Sequence, residues 1–358
     1  MKNQTYVIRW LIIMASLLSA AACSKETAPV VVSAPPVVVA APGSTFQNPL
    51  LPSGPDPFVA QKDGFYYYMH TTNNNLMIRK TATMSSLRTA SPKVVWTPVP
   101  GSAASGNLWA PELFFFDGKW YIYYSAGPSG TNLGYQRTWV LENAAADPTT
   151  GTWTDKGQLM TPGSDFWQID GTTLEQNGNR YFICSGHNGT DGVQRLYISQ
   201  MSNPWTLTGP RVELSHPQYS WESVGFGVNE GPEILKHGTN TFLVYSASFC
   251  GTDSYSLGML TASATADPML PASWTKSQYP VFSSLPANRA YATGHNYFFK
   301  SKDGQEDWII YHANSNPGEG CVDQRNPRIQ KFTWNANGTP NFGQPVPIYT
   351  DQLNPSGE

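Results

Sequence analysis

From residue 55 onward the apolar positions return in a fixed order. An apolar run is followed by a turn pair ending in glycine, then a strongly aromatic run, then a third run of more polar character. The turn pairs are Asp63-Gly64, Asp117-Gly118, Asn177-Gly178, His237-Gly238 and Asp303-Gly304. Four of the five suit tight hairpins, because Asp, Asn and Gly tolerate the left-handed backbone angles such turns require. The runs after them, FYYYMHTT, KWYIYYSA, NRYFICSG, NTFLVYSA and DWIIYHA, are aromatic and β-branched, as buried strands are. One such run alone could be a helical segment, but five in the same order read as strands.

The third runs are LMIRKTA, GYQRTWV, QRLYISQ, SLGMLTA and RIQKFTW, and Trp-Thr pairs at Trp96, Trp153, Trp205 and Trp274 mark a fourth, outer strand. Successive turn pairs lie 54 to 66 residues apart, which leaves room for four short strands in each period. Such units packed radially form a β-propeller around a central channel, so the pattern predicts an all-β, five-bladed β-propeller with four-stranded blades. Two packed sheets are the structural alternative, although they do not account for the repeated order of strand characters. The composition agrees with an all-β chain: of 358 residues only 13% are charged, while Gly (31), Pro (29), Tyr (18), Phe (16) and Trp (12) are abundant.

The amino terminus falls outside this pattern. Residues 1–22 carry Lys2 and Arg9, an apolar run from Trp10 to Leu18, and then small residues, the shape of a signal peptide. Ala20-Ala21-Ala22-Cys23 resembles a lipoprotein cleavage site, with Cys23 as the lipidated residue, although Ala20 stands where Leu is commonest. Residues 23–43 then read as a Pro/Ala/Val tether and 44–358 as the propeller domain. The expected location is an outer-membrane lipoprotein facing the periplasm or the surface, with plain secretion as the alternative. Loss of Lys2 and Arg9 lowers Lys plus Arg from 22 to 20 against 25 Asp plus Glu, and no basic block follows. A nucleic-acid surface is therefore not expected, and a neutral ligand fits better. Of Cys184, Cys250 and Cys321, the last two are one candidate disulfide; otherwise all three are buried thiols.

Counting back seven residues from the first member of each turn pair reaches Asp56, Ala110, Asp170, Glu230 and Asn296, with His295 one residue before the fifth. These positions open the first strand of each period, the one nearest a propeller axis, so carboxylates some sixty residues apart converge on one ring. A single strand-end carboxylate is ordinarily a solvated or capping group. Three at one phase suit glycosidic bond cleavage, in which one carboxyl protonates the leaving oxygen and another activates water. A ring of calcium ligands is the competing use of the same oxygens.

The segments GPDPFV, NLWAPELFFFDGKWYIYYSA, QIDGTTLEQNGNRYFICSG, VNEGPEILK and TGHNYFFKSKDGQEDWIIYHA resemble glycoside hydrolase family 43 over roughly residues 48–348. The resemblance implies an inverting hydrolase acting on arabinose or xylose residues of plant polysaccharides. Asp56 would be its general base, Asp170 the residue that raises the acid's pKa and orients it, and Glu230 the general acid. It also implies a possible central calcium near His295, with a hydrogen-bonding core histidine as the alternative, and no organic cofactor. Glu112 departs from the family's usual Asp and lies two positions past the ring, so it is expected on the substrate side or in a local hydrogen bond. Glu233 is likewise out of phase. Trp109, Trp167, Phe226 and Tyr291 are candidates for stacking on sugar faces or filling blade interfaces, and of Arg325 and Arg328 the latter is the preferred sugar-binding arginine. The QIDGT, FCGTDSYSLG and GEGCVDQRNPRIQKFTWN segments resemble exo-acting α-L-arabinofuranosidases on α-1,5-linked arabinan. Plant cell-wall arabinan or arabino-oligosaccharides are then the partners, with no nucleic acid or obligate protein partner implied. An endo-arabinanase, a β-xylosidase and a noncatalytic sugar-binding propeller lipoprotein are the alternatives.

Overall fold

The structure, a computed structural model, describes residues 43–358; the expected signal peptide, the Cys23 lipidation site and nearly all of the tether lie outside the described residues. Five antiparallel four-stranded sheets follow one another along the chain, with strands paired in sequence order. Their innermost strands are Phe58–Lys62, Gly106–Phe116, Gln168–Gln176, Asn229–His237 and Tyr291–Lys300, and these open blades 1 to 5 in turn. A two-stranded sheet joins Thr45–Gln47 to Asp351–Leu353, bringing the two ends of the propeller together. The expected all-β, five-bladed architecture is the one observed.

The second strands are buried on both faces because each blade is sandwiched between two others, and side chains alternate along a strand. In blade 1, Tyr67 and Met69 join the cluster shared with Leu113 and Trp120 of blade 2, while Tyr66 and Tyr68 join the cluster shared with Trp308 and Ile310 of blade 5. The remaining interfaces repeat the scheme, with Tyr123 against Phe182, Ile183 against Leu243, and Phe242 against Tyr311 within their clusters. A run such as FYYYM is thus uniformly hydrophobic because both of its faces are interfaces.

Local hydrogen bonds set up the outer strands. Asp147 Oδ1 accepts from Thr149 N at 2.9 Å, Asn203 Oδ1 from Trp205 N at 3.0 Å, and Asp267 Oδ1 from Met269 N at 2.9 Å. These side-chain turns lead the chain toward the outer strands at Thr154, Thr206 and Thr275.

Candidate active site

At the start of the inner strands the backbone adopts left-handed angles at Asp56, Ala110, Asp170, Gly231 and His295, with φ of 56°, 42°, 54°, 52° and 47°. In blades 2 to 5 the strand register shifts at this point, which marks a bulge. A bulge turns a peptide N–H out of its own ladder. In four blades that N–H is taken by a residue in or just past the second strand of the preceding blade. Ala110 N donates to Thr71 Oγ1 (2.8 Å), Asp170 N to Ser125 Oγ (3.1 Å), His295 N to Ser246 Oγ (2.7 Å) and Asp56 N to His312 Nδ1 (3.1 Å). In blade 4 the carboxylate of Asp170 takes over, its Oδ2 accepting from Gly231 N at 3.0 Å. Asp170 is thereby fixed to the strand that carries Glu230.

The seven-residue count holds in blades 1 to 3 and slips by one in blades 4 and 5. His237 pairs with Asn240, so the blade 4 turn is Gly238-Thr239 and the ring position is Gly231. Lys300 pairs with Asp307 across a longer loop, and the ring position there is His295. Glu230 therefore stands one residue ahead of the ring, and Asn296 one residue past it. Gly231 suits its place: besides the positive φ, a Cβ there would sit 3.2 Å from His295 Nδ1.

Asp56 is buried, with Oδ2 accepting from Thr71 Oγ1 at 2.6 Å. Its Oδ1 lies 3.1 Å from Arg325 Nη1 and 3.3 Å from His295 Nδ1. Burial opposes its ionisation, but the charges beside it, Arg325 foremost and then His295, outweigh that cost and hold the carboxyl well below the usual range. Burial also pushes His312 down to about 3, so this ring is neutral and accepts the Asp56 N–H rather than forming an ion pair.

Glu230 and Asp170 behave in the opposite way. Burial chiefly, with the Asp56 charge adding to it, raises Glu230 to about 7. Burial, then Glu230 and Asp56, raises Asp170 well above its ordinary value. Tyr255, fully buried and stacked on His312 with centroids 5.8 Å apart, donates its hydroxyl proton to Glu230 Oε1 at 2.8 Å. That leaves Glu230 Oε2 as the oxygen able to present a proton. One carboxyl is held as an anion beside two that retain protons near neutral pH, the division of labour an acid–base pair needs.

Two residues further along the inner strands lies another ring: Phe58, Glu112, Thr172, Glu233 and Tyr297, opposite Met69, Tyr123, Ile183, Val244 and Ile310. Of the two places expected for it, Glu112 takes the local hydrogen-bonding one. It is buried beside Glu233, which accepts from Thr172 Oγ1 at 3.4 Å, and burial pushes Glu112 up to about 8 and Glu233 well above its ordinary value. The pair forms an uncharged or singly charged floor beneath the catalytic candidates.

The expected calcium is a correction as well. Among the described residues no group of three or more His, Cys, Asp or Glu side chains is disposed to hold a metal ion, and His295 faces the Asp56 carboxylate instead. Arg328 is also displaced from its expected role: it is fully buried, donating to the carbonyls of Arg289 (2.9 Å) and Asn314 (3.1 Å) and to Asn326 Oδ1 (2.9 Å). Arg325 is the arginine at the site. On the rim, Trp109 Nε1 donates to Asn73 Oδ1 (2.9 Å), Trp167 lies against His187 (4.2 Å), and Phe226 packs on Phe249 (4.6 Å) with both rings exposed. Tyr291 is half-buried opposite Asn314 where the blade 5 inner strand begins. Hollows around Asp63 and Lys302, and around Asp117, Arg180 and Lys236, lie at the hairpin-turn end of the blades, away from these groups.

Thr71, His312 and Tyr255 escaped the reading of the sequence, although a signal for the first two was present. Toward the ends of the second strands the chain reads MHT, YYS, ICS, VYS and IYH, so a hydroxyl or imidazole recurs at one phase in all five blades, at Thr71, Ser125, Ser185, Ser246 and His312.

A five-bladed propeller with an anionic and a protonated carboxyl at one end of its channel defines a glycosidase-type site. The chain matches the model of glycosyl hydrolases family 43 over residues 46–340, and it belongs to that family. It is 43% identical over 340 residues to an extracellular exo-alpha-(1->5)-L-arabinofuranosidase of Streptomyces avermitilis, covering 92% of this chain and 69% of the relative. A protein of the same description from Streptomyces chartreusis is 41% identical, covering 79% and 87%. Among solved structures, an alpha-L-arabinofuranosidase from Lactobacillus brevis superposes with a TM-score of 0.80 at 36% identity, covering 85% of this chain and 98% of that one.

Proposed function

We propose that the protein is an inverting, exo-acting α-L-arabinofuranosidase that releases terminal arabinofuranose from α-1,5-linked arabinan or arabino-oligosaccharides. The observation that carries this reading is the opposed electrostatics of Asp56 and Glu230 at one channel end. Its two Streptomyces relatives bear that activity in their names. In this reading Glu230 Oε2 gives its proton to the glycosidic oxygen as the C–O bond breaks. Asp56 takes a proton from a water whose oxygen bonds to the anomeric carbon from the opposite face. One water is consumed, Glu230 is left ionised and Asp56 protonated, and proton exchange with solvent restores both. Asp170 accepts from Gly231 N and so orients the strand that carries Glu230, and because two neighbouring buried carboxyls resist ionising together, the pair holds a proton near neutral pH. Trp109, Trp167 and Phe226 would supply the sugar-facing rim.

Export follows the same reading. Residues 1–22 direct the chain out of the cytoplasm and a lipid on Cys23 holds it at the outer membrane, with residues 23–43 as spacer. Metabolic labelling with a fatty acid tests this, since a Cys23→Ser variant should lose the label.

Chromatography of the earliest products from linear α-1,5-arabinan decides between the activities. Free arabinose alone from the first time point is the expected result. Longer early oligosaccharides would assign endo-arabinanase action, and release of xylose from xylo-oligosaccharides with none from arabinan would assign a β-xylosidase.

A further inference from the structure

Cys250 and Cys321 form a disulfide with Cα atoms 5.3 Å apart, joining the connections between strands two and three of blades 4 and 5. Both connections lie at the end of the propeller that holds Asp56, Asp170 and Glu230. The blade 5 connection, residues 315–325, is the longest of the five and contains no regular element. No side chain in it is fully buried, and Gly318 and Gly320 turn it through left-handed angles, with φ of 71° and 73°. An apolar core therefore does not hold it, and ordering such a segment costs about 1–2 kcal/mol per residue in backbone entropy.

The segment is nevertheless tied at three places. On the blade 4 side are the disulfide and Asp253, whose carboxylate accepts from Gly318 N at 2.9 and 3.1 Å. On the blade 1 side, Ser53 Oγ donates to the Asp323 carbonyl and Gly54 N to the Arg325 carbonyl at 3.0 Å. Between them the Val322 carbonyl, next to Cys321, accepts from Arg325 Nε at 3.1 Å, and the same guanidinium reaches Asp56 Oδ1 at 3.1 Å. Asp323 Oδ1 accepts from Asn73 Nδ2 (3.2 Å), and Asn73 Oδ1 from Trp109 Nε1 (2.9 Å). One strap thus runs from the disulfide to the base carboxylate and to a rim tryptophan.

We infer that the Cys250–Cys321 disulfide is a positioning element of this site, fixing the 315–325 strap so that Arg325 is presented to Asp56 and Asp323 to the Asn73–Trp109 rim. The claim deepens the glycosidase reading and uses the same carboxylate. Opening the bond needs only a thiol reductant: Cys321 is exposed and Cys250 half-buried, whereas the one free cysteine among the described residues, Cys184, is buried. With the strap loosened, Val322 no longer braces Arg325, and Asp56 loses part of the cationic environment that keeps it ionised in acid.

The test compares the wild type, oxidised and after dithiothreitol, with a Cys250→Ser/Cys321→Ser variant and with Arg325→Ala. In the reduced protein and the double variant, the acid limb of kcat/KM against pH should rise by about half a unit or more, with kcat/KM down about threefold or more on that limb. Dithiothreitol should not alter the double variant further. Removing the disulfide in an Arg325→Ala background should move the acid limb little further, since that shift acts through the Arg325–Asp56 contact. Carbon NMR titration of Asp56 in protein labelled at aspartate carboxyls reads the same shift without any turnover, so failure of the glycosidase reading leaves this readout decisive. A lower melting temperature with an unmoved acid limb and an unmoved Asp56 titration would make the disulfide purely structural and overturn the inference.

Discussion

Tyr255→Phe isolates the link between fold and proton donation in one atom. The ring is fully buried, stacks on His312, and lies so close to Gly294 that a Cβ there would fall 2.2 Å from Tyr255 Cε1. Phenylalanine preserves that packing and removes only the hydroxyl that donates to Glu230 Oε1 at 2.8 Å. The bond favours the ionised carboxyl, which is why it lowers the Glu230 pKa while burial and Asp56 raise it. A hydrogen bond to a charged group contributes about 1.5–3 kcal/mol. At about 1.4 kcal/mol per unit, its loss should raise the Glu230 pKa from about 7 by roughly one to two units. The acid must be protonated to act, so the alkaline limb of kcat/KM should move to higher pH by that amount. The value at the optimum should fall about tenfold or more as the carboxyl loses its orientation. The assay is initial-rate kinetics on an arabino-oligosaccharide between pH 4 and 10, with circular dichroism to check the fold. An unchanged or lowered alkaline limb in a folded variant would refute the assignment of Tyr255 as the residue that orients the acid.

Other expectations follow from the same geometry. Asp56→Asn and Glu230→Gln should each cut kcat by on the order of a hundred- to ten-thousandfold with melting temperature little changed, measured on purified proteins. Glu112→Gln should change the pH dependence of stability. Its folded pKa is about 8 against about 4.3 unfolded, so its stabilising contribution is full below about pH 4 and lost as pH rises toward 8. Calorimetry should therefore show a shallower fall in melting temperature across that window in the variant. Trp120→Ala, which empties a fully buried position between blades 1 and 2, should cost about 3–5 kcal/mol in denaturant unfolding.

Much of the fold was legible because a propeller writes its period into the chain. The Asp-Gly and Asn-Gly turns of blades 1 to 3 and the aromatic second strands of all five each have one physical cause, repeated from blade to blade. The ring positions were legible to within one residue. Asp56, Ala110 and Asp170 share an offset from a two-residue turn, but Gly238-Thr239 and the longer blade 5 loop shift that offset, and a linear count cannot see a change in hairpin register. Arg325 and Arg328 lie in one short segment of similar character, yet the first is at the end of a loop and the second points into blade 5; strand start, not composition, separates them. Tyr255 lies outside the repeat phase altogether, in a connection whose path is set by tertiary contacts.

The central claim is that Asp56 activates a water on the face of the sugar opposite Glu230. Proton NMR of the first sugar freed from an α-1,5-linked arabino-oligosaccharide, recorded before mutarotation, tests it directly. Initial appearance of β-arabinofuranose, with the α anomer growing in later, is the predicted result. Initial appearance of the α anomer would require a covalent sugar intermediate or attack from the leaving-group side, and would contradict the roles given to both carboxyls.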